Sequence, residues 1–201
     1  NPLAIIGGRA QLLLKDETDA ERRRELALVN AQVKRAHEMI ADVRLFARPA
    51  QPQPETVDLV ALVDGLLDDL TPQATERAIS LSRSGDNGPL EIEADPAQLD
   101  VALRAVCRNA LEAIGHRGEV QISLHRLPGA RVQIGVADNG PGILPEHRRH
   151  LFDPFYSARQ AGRGLGFGLS KCWRIVTNHG GRIDVQSEPG QGATFTITLP
   201  G

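Results

Sequence analysis

Three prolines within six residues, Pro49, Pro52 and Pro54, divide the chain into two parts that cannot belong to one continuous element. Each proline fixes its own φ and turns the preceding residue away from helix, so the stretch reads as an extended linker at a domain boundary. Upstream, only helical spacing is present; downstream, helical and strand patterns alternate to the end. The expected division is a hairpin over 1–48, a linker over 49–56 and a larger domain over 57–201.

In the first part, Leu3, Ile6, Ala10 and Leu13 recur three and four apart and share one helical face. The polar stretch from Lys15 to Arg24 reads as a turn. Leu26, Val29, Val33, Ala36, Ile40, Val43 and Ala47 then continue the alternation. Two helices joined by a short turn form an antiparallel hairpin, which alone has little to bury its stripe against. Two copies pairing into a four-helix bundle solve that problem, so a homodimer is expected.

In the second part, helices are expected near 58–75, 96–115 and 166–178, and strands near 79–83, 90–93, 119–126, 131–137, 182–187 and 193–199. Asp95 and Pro96 suit the N-cap and first position of the middle helix. The fold class is α+β: a helical hairpin followed by a two-layer α/β sandwich.

A net charge of −2 gives no field that would draw nucleic acid or an anionic membrane to the chain. No apolar run approaches the roughly 18 residues of a membrane span. The fragment therefore reads as cytoplasmic and without membrane contact, with room for sensing or membrane segments upstream of Asn1. Cys107 and Cys172 sit in apolar helical patterns and read as reduced core residues.

Asp138-Asn139-Gly140-Pro141-Gly142-Ile143 follows an apolar strand. A carboxylate at a strand end can accept from an exocyclic amine, and glycines admit a planar base; alone, the segment is equally a turn. Gly162-Arg163-Gly164-Leu165-Gly166-Phe167-Gly168-Leu169-Ser170 opens a helix with alternate glycines. Exposed N–H groups at a helix start suit phosphate oxygens, although a hinge would also use such glycines. Asn109 offers an amide oxygen, a donor type that Mg²⁺ accepts.

In order and spacing these segments resemble the nucleotide-binding boxes of the sensor histidine kinase catalytic domain, in the superfamily shared with gyrase, Hsp90 and MutL. Asn109 matches the metal-binding Asn of the N box; Asp138, Gly140 and Gly142 match the G1 box. Phe152-Asp153-Pro154-Phe155-Tyr156 resembles the F box, and Gly164, Gly166 and Gly168 match the G2 box. Asn1-Pro2-Leu3 resembles the end of the H box, which puts the phosphoacceptor histidine four residues before Asn1. His37 is followed by Glu38 as in that box, but Ala41 and Asp42 stand where the Asn/Thr-Pro pair should be, so it reads as a solvated hairpin residue.

The resemblance implies ATP and Mg²⁺ as cofactors, with Mg²⁺ on Asn109, adenine at Asp138 and a lid over about 143–163. Phe152 and Phe155 would pack the base of that lid, and Arg159 would reach the γ-phosphate. It implies autophosphorylation on histidine, transfer to an aspartate of a response-regulator receiver domain, and a phosphatase role for Asn1. The alternatives are an ATP hydrolase or a phosphatase-biased scaffold of the same superfamily. Ala105, Glu112 and Leu165 depart from the boxes, at a frequent Asn, a phosphate-contacting Lys and a frequent Thr respectively.

Overall fold

The computed structural model describes residues 2–47, 51–86, 88–156 and 166–201. The chain divides near residue 49 into two compact units.

The first unit is a pair of helices, α1 (Pro2–Asp16) and α2 (Ala20–Ala47). The turn between them is much shorter than expected, because Asp19 caps α2. Its Oδ1 accepts from the backbone N–H groups of Glu21 at 3.0 Å and Arg22 at 2.9 Å. Within one copy the expected stripe is covered only in part. Gly7 and Ala10 are buried and Leu3 and Leu14 half-buried, whereas Ile6 and Leu13, expected on the same face, are exposed. The absence of a side chain at Gly7 lets the helices approach: a Cβ there would lie 3.0 Å from Val33 Cγ1. His37, expected in solvent, is half-buried.

The second unit begins inside the expected linker. Glu55 and Thr56 are the first residues of strand β1 (Glu55–Asp58), which pairs antiparallel with β3 (Glu91–Ala94). Asp58 ends β1 and caps α3 (Leu59–Glu76), its Oδ1 accepting from Val60 N. Next come β2 (Ile79–Gly85), α4 (Pro96–Ile114), β4 (Gly118–Leu127) and β5 (Arg131–Asp138). A short helix α5 (Pro145–Arg148), α6 (Gly168–Asn178), β6 (Arg182–Ser187) and β7 (Ala193–Pro200) complete the unit. Helix α5 lies in a stretch expected to be irregular.

The main sheet has the order β2-β4-β5-β7-β6, parallel only between β2 and β4, where the chain crosses over through β3 and α4. Strict alternation sends Val120, Ile122 and Leu124 of β4, Val132, Ile134 and Val136 of β5, and Phe195, Ile197 and Leu199 of β7 into one buried layer. Helices α3, α4 and α6 close that layer. Helix α4 supplies Leu99, Ala102, Leu103, Val106, Cys107, Ala110 and Leu111, all buried. Removing one such leucine from water is worth about 1.5–3 kcal/mol. The opposite sheet face carries Gln121, Ser123, Gln133, Thr194 and Thr196, the polar half of the same alternation. The α+β class and the two-layer sandwich are as expected.

Candidate functional site

The alternation that sends Val132, Ile134 and Val136 toward the helices also sends Asp138, two residues further on. Its carboxylate therefore lies on the helix side of the sheet at the end of β5, where it is 9% exposed. Its Oδ1 accepts the Gly140 N–H at 2.9 Å. Asn139 anchors the following turn by accepting the Glu119 N–H at 2.8 Å. Beyond it, residues 140–143 press against the β6–β7 turn. Gly190 N–H donates to Pro141 O at 2.7 Å, and Ile143 N–H donates to Ser187 Oγ at 2.9 Å. Gly142, at φ +70°, lies so close to the Glu188 carbonyl that a Cβ could not be inserted.

Helix α4 ties the remaining pieces together. Ala105, Asn109 and Ala113 are spaced four apart and share one face. A Cβ on Gly168 would lie 3.9 Å from Ala105 Cβ, and one on Gly140 would lie 3.5 Å from the Ala113 carbonyl carbon. Asn109, half-buried, therefore stands between the start of α6 and the loop after Asp138. The two ends are about 12 Å apart along the helix at 1.5 Å per residue. Among the described residues the start of α6 carries no side-chain cap: its N-cap is Phe167, and Ser170 Oγ donates to the Phe167 carbonyl at 3.1 Å. Its first N–H groups thus face outward from the helix with the positive end of its dipole.

The segment expected to form the lid is described over its first part, up to Tyr156, and the chain is described again from Gly166 beyond its end. Phe152 is half-buried against the core together with Ile143 and Leu151. Phe155 is instead 68% exposed, at φ +65°, and meets Phe167 edge-on with ring centroids 4.5 Å apart. Gly166, at φ +69°, lets the returning chain pass the backbone of Phe155 and Tyr156, where a Cβ would stand 2.5 Å from the Phe155 carbonyl carbon. Histidines brace the same end: His147 Nδ1 bonds Tyr156 OH, and His150 Nδ1 bonds Asp153 Oδ2 at 2.7 Å. Arg159, Gly164 and Leu165, like Asn1, lie outside the described residues.

Among the described residues, no group of three or more His, Cys, Asp and Glu side chains could hold a metal. A divalent ion here would take one oxygen from Asn109 and complete its shell with phosphate oxygens and water, the usual habit of Mg²⁺, so the donor set fits the ion. Both cysteines are free and buried, and burial pushes the Cys107 thiol up to about 12 and the Cys172 thiol higher still, which makes them inert. His179 closes α6. Its Nδ1 bonds Ile175 O, and its Nε2 accepts the Asp95 N–H at 3.1 Å, joining the end of α6 to the start of α4.

The spacing pattern alone left two supports of this site unmarked. Ser187 is a small polar residue at a strand end with no neighbour of obvious function. Gly192 is half of a Gly-Gln-Gly turn whose close approach to the Asp138 backbone only the folded sheet reveals.

Residues 94–201 match the family described as histidine kinase-, DNA gyrase B- and HSP90-like ATPase. Sensor histidine kinase ZraS of Klebsiella oxytoca is 34% identical over 201 residues, covering 100% of this chain and 43% of that protein. The signal transduction histidine-protein kinase AtoS of Escherichia coli (strain K12) is 34% identical over 200 residues, covering 100% of this chain and 33% of its own. Full-length ShkA, crystallised in complex with AMPPNP, superposes with a TM-score of 0.87 at 29% identity, over 99% of this chain and 43% of that one. The chain thus spans less than half the length of these relatives. With Asn109 on α4, Asp138 at the end of β5 and the glycine-flanked start of α6 standing around one helix face, the chain belongs to the histidine kinase-, DNA gyrase B- and HSP90-like ATPase family.

Proposed function

We propose that the chain is the core of a protein-histidine kinase that binds Mg-ATP between Asp138 and the start of α6 and phosphorylates a histidine four residues upstream of Asn1. The observation that carries this reading is the single α4 face on which Ala105, Asn109 and Ala113 link the two glycine-flanked ends of the site. Asp138 would accept from the adenine amine, with Gly140 and Gly142 admitting the base. Gly164, Gly166, Gly168 and the uncapped α6 terminus would face phosphate oxygens. Mg²⁺, held by Asn109, would supply positive charge to the phosphates. Phe152 and Phe155 would hold the base of the lid, and Arg159 would reach the γ-phosphate from it.

Phosphoryl transfer of this kind rests on positioning and charge stabilisation more than on covalent chemistry. The phosphoryl group would next pass to an aspartate of a response-regulator receiver domain, with Asn1 orienting the water that later releases it. The hairpin supports a homodimer: Ile5, Ile6, Leu12, Leu13, Leu28 and Val29 are exposed on one copy, more apolar surface than two helices can cover for each other. In hydrolase members of the superfamily a general base stands four residues before the metal-binding Asn. Here that position is Ala105, whose methyl group faces Gly168.

The test uses the chain extended upstream through its native H box, incubated with Mg²⁺ and ATP labelled at the γ-phosphate. Acid-labile, base-stable protein labelling is expected, lost when the upstream histidine is replaced and kept in His37→Ala. Asn109→Ala should abolish Mg²⁺-dependent ATP binding without loss of helix content. Steady release of phosphate to water with no labelled protein would show a hydrolase instead.

A further inference from the structure

Ser187 is one of four buried polar residues in the described structure, with Asp138, Ser170 and Thr198. It ends β6, opposite Ala193 of β7, which in turn stands opposite Asp138 of β5. Residues paired in one row project from the same sheet face, so Ser187 and Asp138 lie on the helix side two strand spacings apart, about 9–10 Å. The small side chain of Ala193 lies between them.

The Ser187 hydroxyl uses both its donor and its acceptor capacity on backbone. It donates to Gly192 O at 2.6 Å and accepts from Ile143 N–H at 2.9 Å. One oxygen thereby ties the β6–β7 turn to the end of the loop that leaves Asp138. The Gly190 N–H to Pro141 O bond runs beside it. The turn reaches Asp138 from the other side as well, because Gly192 abuts the Asp138 carbonyl closely enough to exclude any side chain. Within the loop, Gly140 N–H bonds the carboxylate itself. Asp138 is thus held at its backbone carbonyl by the turn and at its carboxylate by the loop, and Ser187 bonds both the turn and the loop.

We propose that Ser187 is a positioning residue for base recognition, its hydroxyl fixing the loop 139–143 so that the Asp138 carboxylate meets an exocyclic amine in line. The proposal rests on the reading of Asp138 as the adenine acceptor. Without the hydroxyl, Ile143 N–H and Gly192 O lose a buried partner and the loop is released on the carboxylate side only. Asn109 and the start of α6 keep their supports. The loss therefore falls on the base and spares the phosphates.

Binding of Mg-ATP and of Mg-inosine triphosphate, which presents a carbonyl where adenine has its amine, separates the possibilities. The parent protein should prefer ATP. Ser187→Ala should lose about tenfold in ATP affinity, roughly 1.4 kcal/mol, while inosine triphosphate changes less than threefold; Ser187→Thr, which keeps the hydroxyl, should stay within threefold of the parent for both. A Ser187→Ala protein that keeps the parent's ATP preference, whatever its melting temperature, overturns the proposal and leaves Ser187 a turn stabiliser. Should that variant not fold, amide exchange in the parent decides: slow exchange at Ile143 is expected, and exchange at the unprotected rate overturns the clamp. A parent that binds the two nucleotides equally refutes the Asp138 reading itself, and the inference falls with it.

Discussion

The hairpin and the sandwich draw on similar apolar residues yet bury them very differently. Among the described residues of the hairpin only Gly7 and Ala10 are buried, while Leu12 and Leu13 are 68% and 60% exposed. In the sandwich, α3 alone buries Leu59, Val63, Leu66, Leu70 and Ala74. Two helices share a single line of contact, and any apolar residue off that line faces outward. A sheet layered with three helices offers each of them a wide apolar floor. The sandwich therefore has the core of an independently stable domain, whereas one copy of the hairpin leaves most of its large apolar residues exposed.

The largest expected effect separates the two directly. Leu103→Ala, at a position 1% exposed, should destabilise the sandwich by about 2–5 kcal/mol through lost burial and the cavity left behind. Leu13→Ala should cost less than about 0.5 kcal/mol in a lone hairpin, and more as protein concentration rises if a second copy covers it. Denaturant unfolding at two concentrations tests both. A concentration-independent Leu13→Ala penalty would mean that the hairpin is complete within one chain.

A smaller effect concerns independence of function. Leu12→Glu combined with Leu13→Glu should shift the protein to monomer in sedimentation while ATP affinity stays within about twofold, under 0.5 kcal/mol. Asp138→Asn should do the reverse, weakening ATP about tenfold, the worth of one hydrogen bond to a charged group, with assembly unchanged. Loss of ATP binding in the monomer would break the comparison, by making the site depend on the paired hairpin.

What the sequence disclosed follows the same division. Helix α4 was readable because its cap, first proline and buried row all lie within nineteen local residues. Strands β4, β5 and β7 were readable from strict alternation, and Asp138 from the glycines after it. Strand β1 was hidden, since its four residues follow Pro54 and acquire a partner only when β3 arrives from more than thirty residues away. The close helix approach at Gly7 was not legible, because periodicity weighs apolar residues and cannot tell which of them meet the neighbouring helix and which are left outward. Ser187 escaped because its two partners are backbone atoms brought near by sheet order alone.

A further pair of expected effects compares two aspartate caps of the same chemistry. Asp19 bonds two N–H groups at the exposed start of α2, and Asp19→Ala should cost about 0.5–1 kcal/mol. Asp95 caps α4 through Gln98 N–H at 3.0 Å and also accepts the Gln53 N–H at 3.0 Å, from the chain leading into β1. Asp95→Ala should therefore cost nearer 2 kcal/mol, the upper end for a cap. The Gln53 and Gln98 N–H bonds hold the Asp95 carboxyl below its ordinary value against a smaller opposing effect of burial. A group depressed in the folded state stabilises above its unfolded pKa, and that contribution fades as pH falls through the folded pKa. Melting of parent and Asp95→Ala proteins from pH 7 down into the acid range should then show a gap that is widest at neutral pH and narrows below the ordinary carboxylate range. A gap of constant width would assign the cap to geometry alone, with no share carried by the charge.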